Sequence, residues 1–360
     1  MNTSDRAKAI AKAAEPFRAL LGPASADELL AWLRAELGSE DALDCWVDHG
    51  KAKTKAIAPE TILHVVSGNT PHAALQSLVG GVLLGSRNLV KLPRGGIIEV
   101  DEFISGLPEV LRTKIETAEE LPPGWPAQAE AVIVYGSDET IAHFRGLVSP
   151  SQVFIGHGHK ASLGIIWDDP QFASCEGAAR DASLYDQQGC LSPQVFYVRE
   201  ARPGFAREYA EHLASAMDRF NRTHPRGALT TEEKAAIANL RAAYRFRSAN
   251  DLRVALWEGG GNMDWTVVYE EDAWFPASPL NRVIFVKPLP DDFFNAIGPA
   301  AAHLGAVGLF PCTGELVDRF VELRPSRFCP LGRMQDPPWT WHNGGIPRLA
   351  SLVKWVDFEP

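Results

Sequence analysis

From Thr61 onward, short apolar runs rich in β-branched residues alternate with longer segments whose apolar positions recur at helical spacing. The runs "TILHVVS", "NLVKL", "AEAVIVYG" and "SQVFIG" read as strands. The stretch through Leu84, "VDEFISGLPEVLRTKI" and "DETIAHFRGLV" read as helices. That rhythm predicts parallel strands joined by crossover helices, an open α/β sheet of the doubly wound kind, which binds ligands at the carboxyl ends of its strands. A second series repeats it with "SLGIIW", a helix approaching Tyr185, "QVFYVR", the helix "PGFAREYAEHLASAMDRF", "LRVALWE", "DWTVVYEE" and "RVIFVKPL". Between them, "NRTHPRGALTTEEKAAIANLRAAYRFR" reads as a surface insertion or helical hairpin. Ahead of the first series, one helix is expected from about Ser4 to Leu21. A second is opened by a Ser25/Glu28 capping box and stopped by Gly38, and both are placed at the periphery. The boundary between two lobes falls near Lys160.

At 360 residues the chain accommodates two such lobes. With 46% hydrophobic and 22% charged residues, the composition is that of a folded globular protein. A formal charge of -10 and the lack of a lysine/arginine stripe argue against nucleic acid as a partner. The start carries charges throughout instead of a signal-peptide core, and the most apolar run, Ala73 to Gly85, falls short of the roughly 20 residues a membrane span needs. A cytoplasmic protein without a membrane anchor is the expectation. Five cysteines, at 45, 175, 190, 312 and 329, form no CxxC pair and suit neither a disulfide framework nor a zinc site, so reduced thiols are expected.

Chemistry concentrates in a few turns. Asn69 lies between a strand and a helix, where it presents a side-chain amide to a ligand or simply caps the helix. Lys91 closes the next strand, at the edge where a nucleotide ribose or phosphate is held. Gly136 and Ser137 form a further strand-to-helix turn that lets a phosphate approach the backbone. The "GHGHK" turn at 156–160 carries two histidines but no third ligand at metal spacing, so no metal site is assigned. "GGGN" at 259–262 reads as a loop. Cys190 sits in the polar loop "YDQQGCLSPQ", where packing has little use for a thiol. Its setting favours reactivity, whereas the other four cysteines are assigned to structure.

These segments, in this order, resemble the aldehyde dehydrogenase superfamily, and within it the acyl-CoA reductases similar to the fatty-acid reductase component of bacterial bioluminescence. Asn69 and Lys91 stand 22 residues apart, close to the spacing of that superfamily's loop asparagine and strand-end lysine. Gly136 and Ser137 match its glycine-serine turn and Cys190 its catalytic cysteine. "DQQGCLSPQ", "LGAVGLF" and "SRFCPLGRMQDPPWTWHNGGIPRLASLVKW" point to the acyl-CoA reductase branch. The resemblance implies an aldehyde dehydrogenase-like fold of two open α/β lobes. Residues 1–160 would form a Rossmann-like nucleotide-binding domain with N-terminal helices, 161–335 a catalytic cysteine domain, and 336–360 a segment returning toward the nucleotide-binding domain.

The implied reaction is NADPH-dependent reduction of a fatty acyl-CoA to the aldehyde. Cys190 becomes acylated while Asn69 and the Cys190 N–H hold the oxyanion, hydride from the nicotinamide gives a thiohemiacetal, and His157 is a candidate proton relay. Hydrolytic relatives carry a glutamate base 34 residues before the cysteine; here that position is Gly156, so no carboxylate stands ready to activate water. Arg94, three residues after Lys91, stands where NAD-preferring relatives often carry a glutamate, and it suits a 2′-phosphate. A homo-oligomer and an acyltransferase or synthetase partner are expected from the resemblance. The competing readings are an acyl-phosphate or semialdehyde dehydrogenase on the same fold, a nonenzymatic subunit retaining the fold, and a cysteine hydrolase, for which no histidine base is identified.

Overall fold

A computed structural model of the chain describes residues 1–68, 71–261 and 263–359. They form two compact units, residues 1–159 with 338–360, and Lys160–Pro337.

In the first unit, strands β1 (Val47–His49), β2 (Ala52–Ile57), β3 (Thr61–Val65), β4 (Arg87–Lys91), β5 (Ile115–Ala118), β6 (Ala131–Tyr135) and β7 (Val153–His157) follow in chain order. The last five make a wholly parallel sheet in the order β5-β4-β3-β6-β7. Its central strands β3 and β6 are buried along nearly their whole length and largely apolar because helices cover both faces, the arrangement that a run rich in β-branched residues encodes. The helix Pro71–Leu84 is apolar nearly all round and buries most of its length in the core. Within it Gly81 leaves room for a buried polar chain. His64 Nδ1 meets Ser77 Oγ at 2.7 Å and His64 Nε2 meets Asn88 Oδ1 at 3.0 Å, and a side-chain carbon at Gly81 would stand 1.9 Å from that Asn88 oxygen. Burial lowers the His64 pKa to about 4, so the ring is neutral at pH 7.

In the second unit, β8 (Ala161–Ile166), β9 (Pro193–Val198), β10 (Val254–Glu258), β11 (Thr266–Glu270), β12 (Val283–Pro288), β13 (Leu304–Phe310) and β14 (Arg327–Pro330) form one sheet in the order β10-β11-β12-β9-β8-β13-β14. Its core lies on both faces: the helices Cys175–Ser183 and Phe205–Thr223 cover one, while Ile237 of the helix Thr231–Asn250 packs on the other with Phe293 and Phe320. The chain ends in the first unit with β15 (Lys354–Phe358), which pairs antiparallel to β2.

Three expectations change. The N-terminal helices are not peripheral: Ile10, Leu29, Trp32 and Leu33 have no exposed surface and belong to the core of the first unit. Glu36 explains part of this, since its carboxylate accepts hydrogen bonds from Trp32 Nε1 (2.6 Å) and from the backbone N–H groups of Arg348 (3.1 Å), Leu349 (2.6 Å) and Ala350 (3.0 Å), tying the C-terminal segment to this helix. The helix expected through Ile115 ends earlier, at Gly106 with one more turn to Arg112, and Ile115 opens edge strand β5. Pro108 breaks the helix there. Edge strand β10 runs antiparallel to β11, and β1, β2 and β15 make a small antiparallel sheet that the strand-helix rhythm does not announce.

Candidate active site

The polar loop before β9 is built on a backbone that few sequences adopt. Tyr185, Asp186 and Gln187 all have positive φ, at 53°, 51° and 64°. For side chains with a Cβ each such residue costs about 1–2 kcal/mol, so the surroundings must hold the run in place. They do so through a second left-handed run, Leu280, Asn281 and Arg282 (φ 60°, 55° and 63°). Asp186 pairs with Arg282 at 2.8 Å and accepts from Gly227 N–H at 2.9 Å, while Gln188 Nε2 donates to Asn281 Oδ1 at 3.1 Å. Arg282 is itself fixed by donation to Asn221 Oδ1 and the His224 carbonyl.

Cys190 emerges from this loop with exposed surface, unlike Cys175 and Cys329, which are buried. Cys45 and Cys312 are exposed as well, so the expectation that all four other cysteines serve packing holds only for the buried pair. The Cys190 sulfur is nonetheless crowded: burial pushes its thiol above the ordinary cysteine value, opposed by its own backbone N–H and by the Lys160 ammonium. The peptide that follows the thiol is splinted. Ser162 Oγ donates to the Cys190 carbonyl at 3.0 Å and accepts from Ala306 N–H at 3.0 Å. This hydroxyl stands between two register shifts, one in the β8–β9 pairing after Ser162 and one in β8–β13 between Leu304 and Val307, where the backbone ladder lapses. On the other side, buried Gln335 donates to Ser192 Oγ at 2.8 Å. The turn carrying Gln335 is held by Asp181, a wholly buried carboxylate that accepts from Gly332 N–H (2.6 Å) and Met334 N–H (3.1 Å). Burial outweighs those bonds and raises the Asp181 pKa to about 7. Ser162, Gln187 and Gln335 escaped sequence reasoning; only the polarity of the residues around Cys190 hinted at a hydrogen-bonded loop.

The other candidates belong to the first unit. Asn69 lies outside the described residues, as does Asn262 of the "GGGN" loop. Lys91 ends β4, opposite Val65 and Ala118 of its neighbours, and Arg94 is exposed just beyond it. Glu119 follows β5 and accepts from Gly95 N–H at 3.0 Å. At Gly136 a side-chain carbon would come within 2.9 Å of Thr140, which explains the glycine. The Ser137 hydroxyl is engaged as the cap of the helix Asp138–Arg145, accepting from Thr140 N–H, and Asp138 and Glu139 make that first turn acidic. His157 ends β7 with its ring stacked on Tyr135, centroids 4.6 Å apart. Both line a cavity of about 20 Å³ with Ser77, Gln76 and Arg348, enough for about one water molecule. Among the described residues no group of three or more His, Cys, Asp or Glu could hold a metal ion, and no helix is long and apolar enough to cross a membrane.

Two parallel-stranded α/β units, one presenting a crowded but exposed thiol on the loop before a central strand, make an aldehyde dehydrogenase-like fold, and solved structures agree. The putative aldehyde dehydrogenase PutA from Anabaena variabilis superposes with a TM-score of 0.65 at 11% identity, covering 99% of this chain and 87% of that one. The NADP-dependent glyceraldehyde-3-phosphate dehydrogenase from Bacillus halodurans does so with 0.64 at 14% identity, over 99% and 86%. Residues 5–355 match the family model described as acyl-CoA reductase (LuxC), and the chain belongs to that family. It is 26% identical over 355 residues to the long-chain acyl-protein thioester reductase of Aliivibrio fischeri, covering 90% of this chain and 69% of that protein. To the enzyme of the same name from Photobacterium phosphoreum it is 26% identical over 274 residues, covering 72% of this chain and 54% of that one.

Proposed function

We propose that this protein reduces a long-chain acyl thioester to the aldehyde through a covalent thioester on Cys190. The observation that carries the reading is an exposed thiol on a loop whose backbone is clamped from several sides, in a chain of the acyl-CoA reductase family. The Cys190 thiolate attacks the acyl carbonyl, and the carbonyl electron pair moves onto oxygen. Collapse of that oxyanion expels the donor as a thiolate and leaves the acyl group on sulfur. Holding the oxyanion falls to the Cys190 backbone N–H and to Asn69; removing one such donor typically raises a barrier by about 2.7–4 kcal/mol. Lys160 favours the thiolate. Gly156, standing where a hydrolytic relative has its base, gives the acyl group no carboxylate to activate water against it.

A reduced nicotinamide nucleotide fits the carboxyl edge of the first unit's sheet, where Lys91 and the exposed Arg94 supply cations and Gly136 keeps the turn beside Ser137 narrow. When bound, it supplies the hydride that makes the net reaction a reduction. Arg94 favours NADPH by offering a bidentate partner to a 2′-phosphate, and Glu119 is the nearby group that would favour ribose hydroxyls instead. His157, packed against Tyr135, remains the candidate proton carrier. The donor thioester is acyl-CoA in the first reading. The names of the two long-chain acyl-protein thioester reductases favour a second, in which a partner protein presents the acyl group as a thioester.

The test mixes purified protein with acyl-CoAs of graded length, or with a protein carrying a long-chain acyl thioester, and NADPH or NADH, following nicotinamide absorbance and intact mass together. Acylation of wild type but not of Cys190→Ala, with cofactor oxidation, is the expected result. If no acyl adduct forms from either CoA or protein thioesters, the proposal fails.

A further inference from the structure

We propose that Gln187 positions the Cys190 nucleophile by replacing a missing rung of the sheet, a role that deepens the thioester chemistry above and rests on it. Strands β9 and β12 pair in parallel from Val195 and Phe285 onward. Two positions earlier the same register sets Pro193 beside Val283, and proline has no N–H with which to continue the ladder. The Gln187 side chain fills that place. Its Nε2 donates to the Pro193 carbonyl at 2.7 Å and the Val283 carbonyl at 3.0 Å, and its Oε1 accepts from Val283 N–H at 2.9 Å, with no part of the residue exposed. Both amide hydrogens are therefore satisfied inside the sheet.

The bond from Gln187 to the Pro193 carbonyl also closes the chain between them into a loop with Cys190 at its midpoint. One foot of that loop is pinned by the amide and the other begins β9. Reaching the sheet from this direction is what requires the left-handed run Tyr185–Gln187, and the Asp186–Arg282 pair holds that run. The strained backbone, the proline and the fully buried glutamine are thus one device. It sets where the thiol and its N–H sit relative to the strand.

The variants are Gln187→Met and Gln187→Glu, which keep the length of the side chain but lose both donors, and Asp186→Asn, which leaves the rung and loosens the run before it. Met217→Ala, on the buried face of the helix Phe205–Thr223, is the control for lost stability alone. Two quantities are measured per folded molecule: the pH profile of Cys190 alkylation by iodoacetamide, and the single-turnover rate of acylation by a long-chain acyl-CoA against its concentration. A displacement approaching an ångström lowers a reaction rate by roughly 100-fold. Gln187→Met is expected to lose on that order in the saturating rate, with the half-saturating concentration unchanged and the alkylation profile displaced. Met217→Ala keeps both at wild-type values. Wild-type profiles in the Gln187 variants overturn the proposal and leave Gln187 a sheet stabiliser. If those variants do not fold, a wild-type profile in Asp186→Asn overturns it instead. If wild type forms no acyl adduct from either a CoA or a protein thioester, the thioester chemistry fails, while alkylation, which needs no substrate, still decides whether Gln187 places the thiol.

Discussion

Ser162 offers the sharpest test of how the thiol is held. Its hydroxyl carries two bonds at once, to the Cys190 carbonyl and from the Ala306 N–H, at a point where β13 carries an extra residue and the ladder cannot serve Ala306. Ser162→Ala leaves that N–H unpaired in a position with no solvent access, a loss of about 1–3 kcal/mol, and removes a second, part-buried bond worth about 1 kcal/mol. The sum, about 2–4 kcal/mol, lowers the folding equilibrium constant roughly 30- to 700-fold and should appear as a lower urea midpoint. Freed of its splint, the peptide after Cys190 rotates, and acylation slows at saturating substrate. Gly305→Ala perturbs the same carbonyl without deleting the bond, because the added carbon stands 3.1 Å from Ser162 Oγ and 3.2 Å from the Cys190 oxygen. Urea titration and single-turnover acylation read by intact mass measure both effects. If both variants lose stability yet acylate at the wild-type rate per folded molecule, the Cys190 peptide is not controlled from β8.

Replacing Lys160 with methionine removes the cation that favours the thiolate, so the pH profile of Cys190 alkylation should move to higher pH; an unmoved profile removes Lys160 from the site. Arg94→Glu should raise the Michaelis constant for NADPH far more than that for NADH, and an equal effect on both would end the 2′-phosphate reading. Asp181 titrates near pH 7 in the folded protein against about 3.9 in an unfolded chain, so the folded state binds the extra proton between those values. Its contribution is complete below about pH 4 and is lost as pH rises toward 7. Asp181→Asn should therefore flatten the pH dependence of the urea midpoint over that interval, and a wild-type slope in the variant would refute the assignment.

The fold was legible where hydrophobic period and burial coincide. Buried parallel strands such as Ala131–Tyr135 and Pro193–Val198 are short, largely apolar runs, and the capping box at Ser25 is local in sequence and local in space. What escaped was set by contacts distant in the chain. Ile115 reads as the tail of a helix until its edge strand meets β4, and the N-terminal helices read as peripheral until Glu36 binds the backbone of residues 348–350.

The candidate site divides in the same way. A cysteine in a polar loop is picked out as a candidate nucleophile by its neighbours in sequence alone. The groups that determine where its sulfur lies do not. Ser162 acts on Cys190 from 28 residues away, and the amide of Gln187 is answered by Val283, 96 residues on. From sequence, Gln187 and Gln188 are two adjacent polar residues with equal claims. The difference arises from Pro193, whose missing N–H opens a gap that only a buried donor from the preceding turn can fill, and from the left-handed backbone that aims the first glutamine, not the second, into it. A residue that looks like loop solvent-facing polarity is therefore part of the sheet, and its substitution should be felt at the thiol before it is felt anywhere else in the unit.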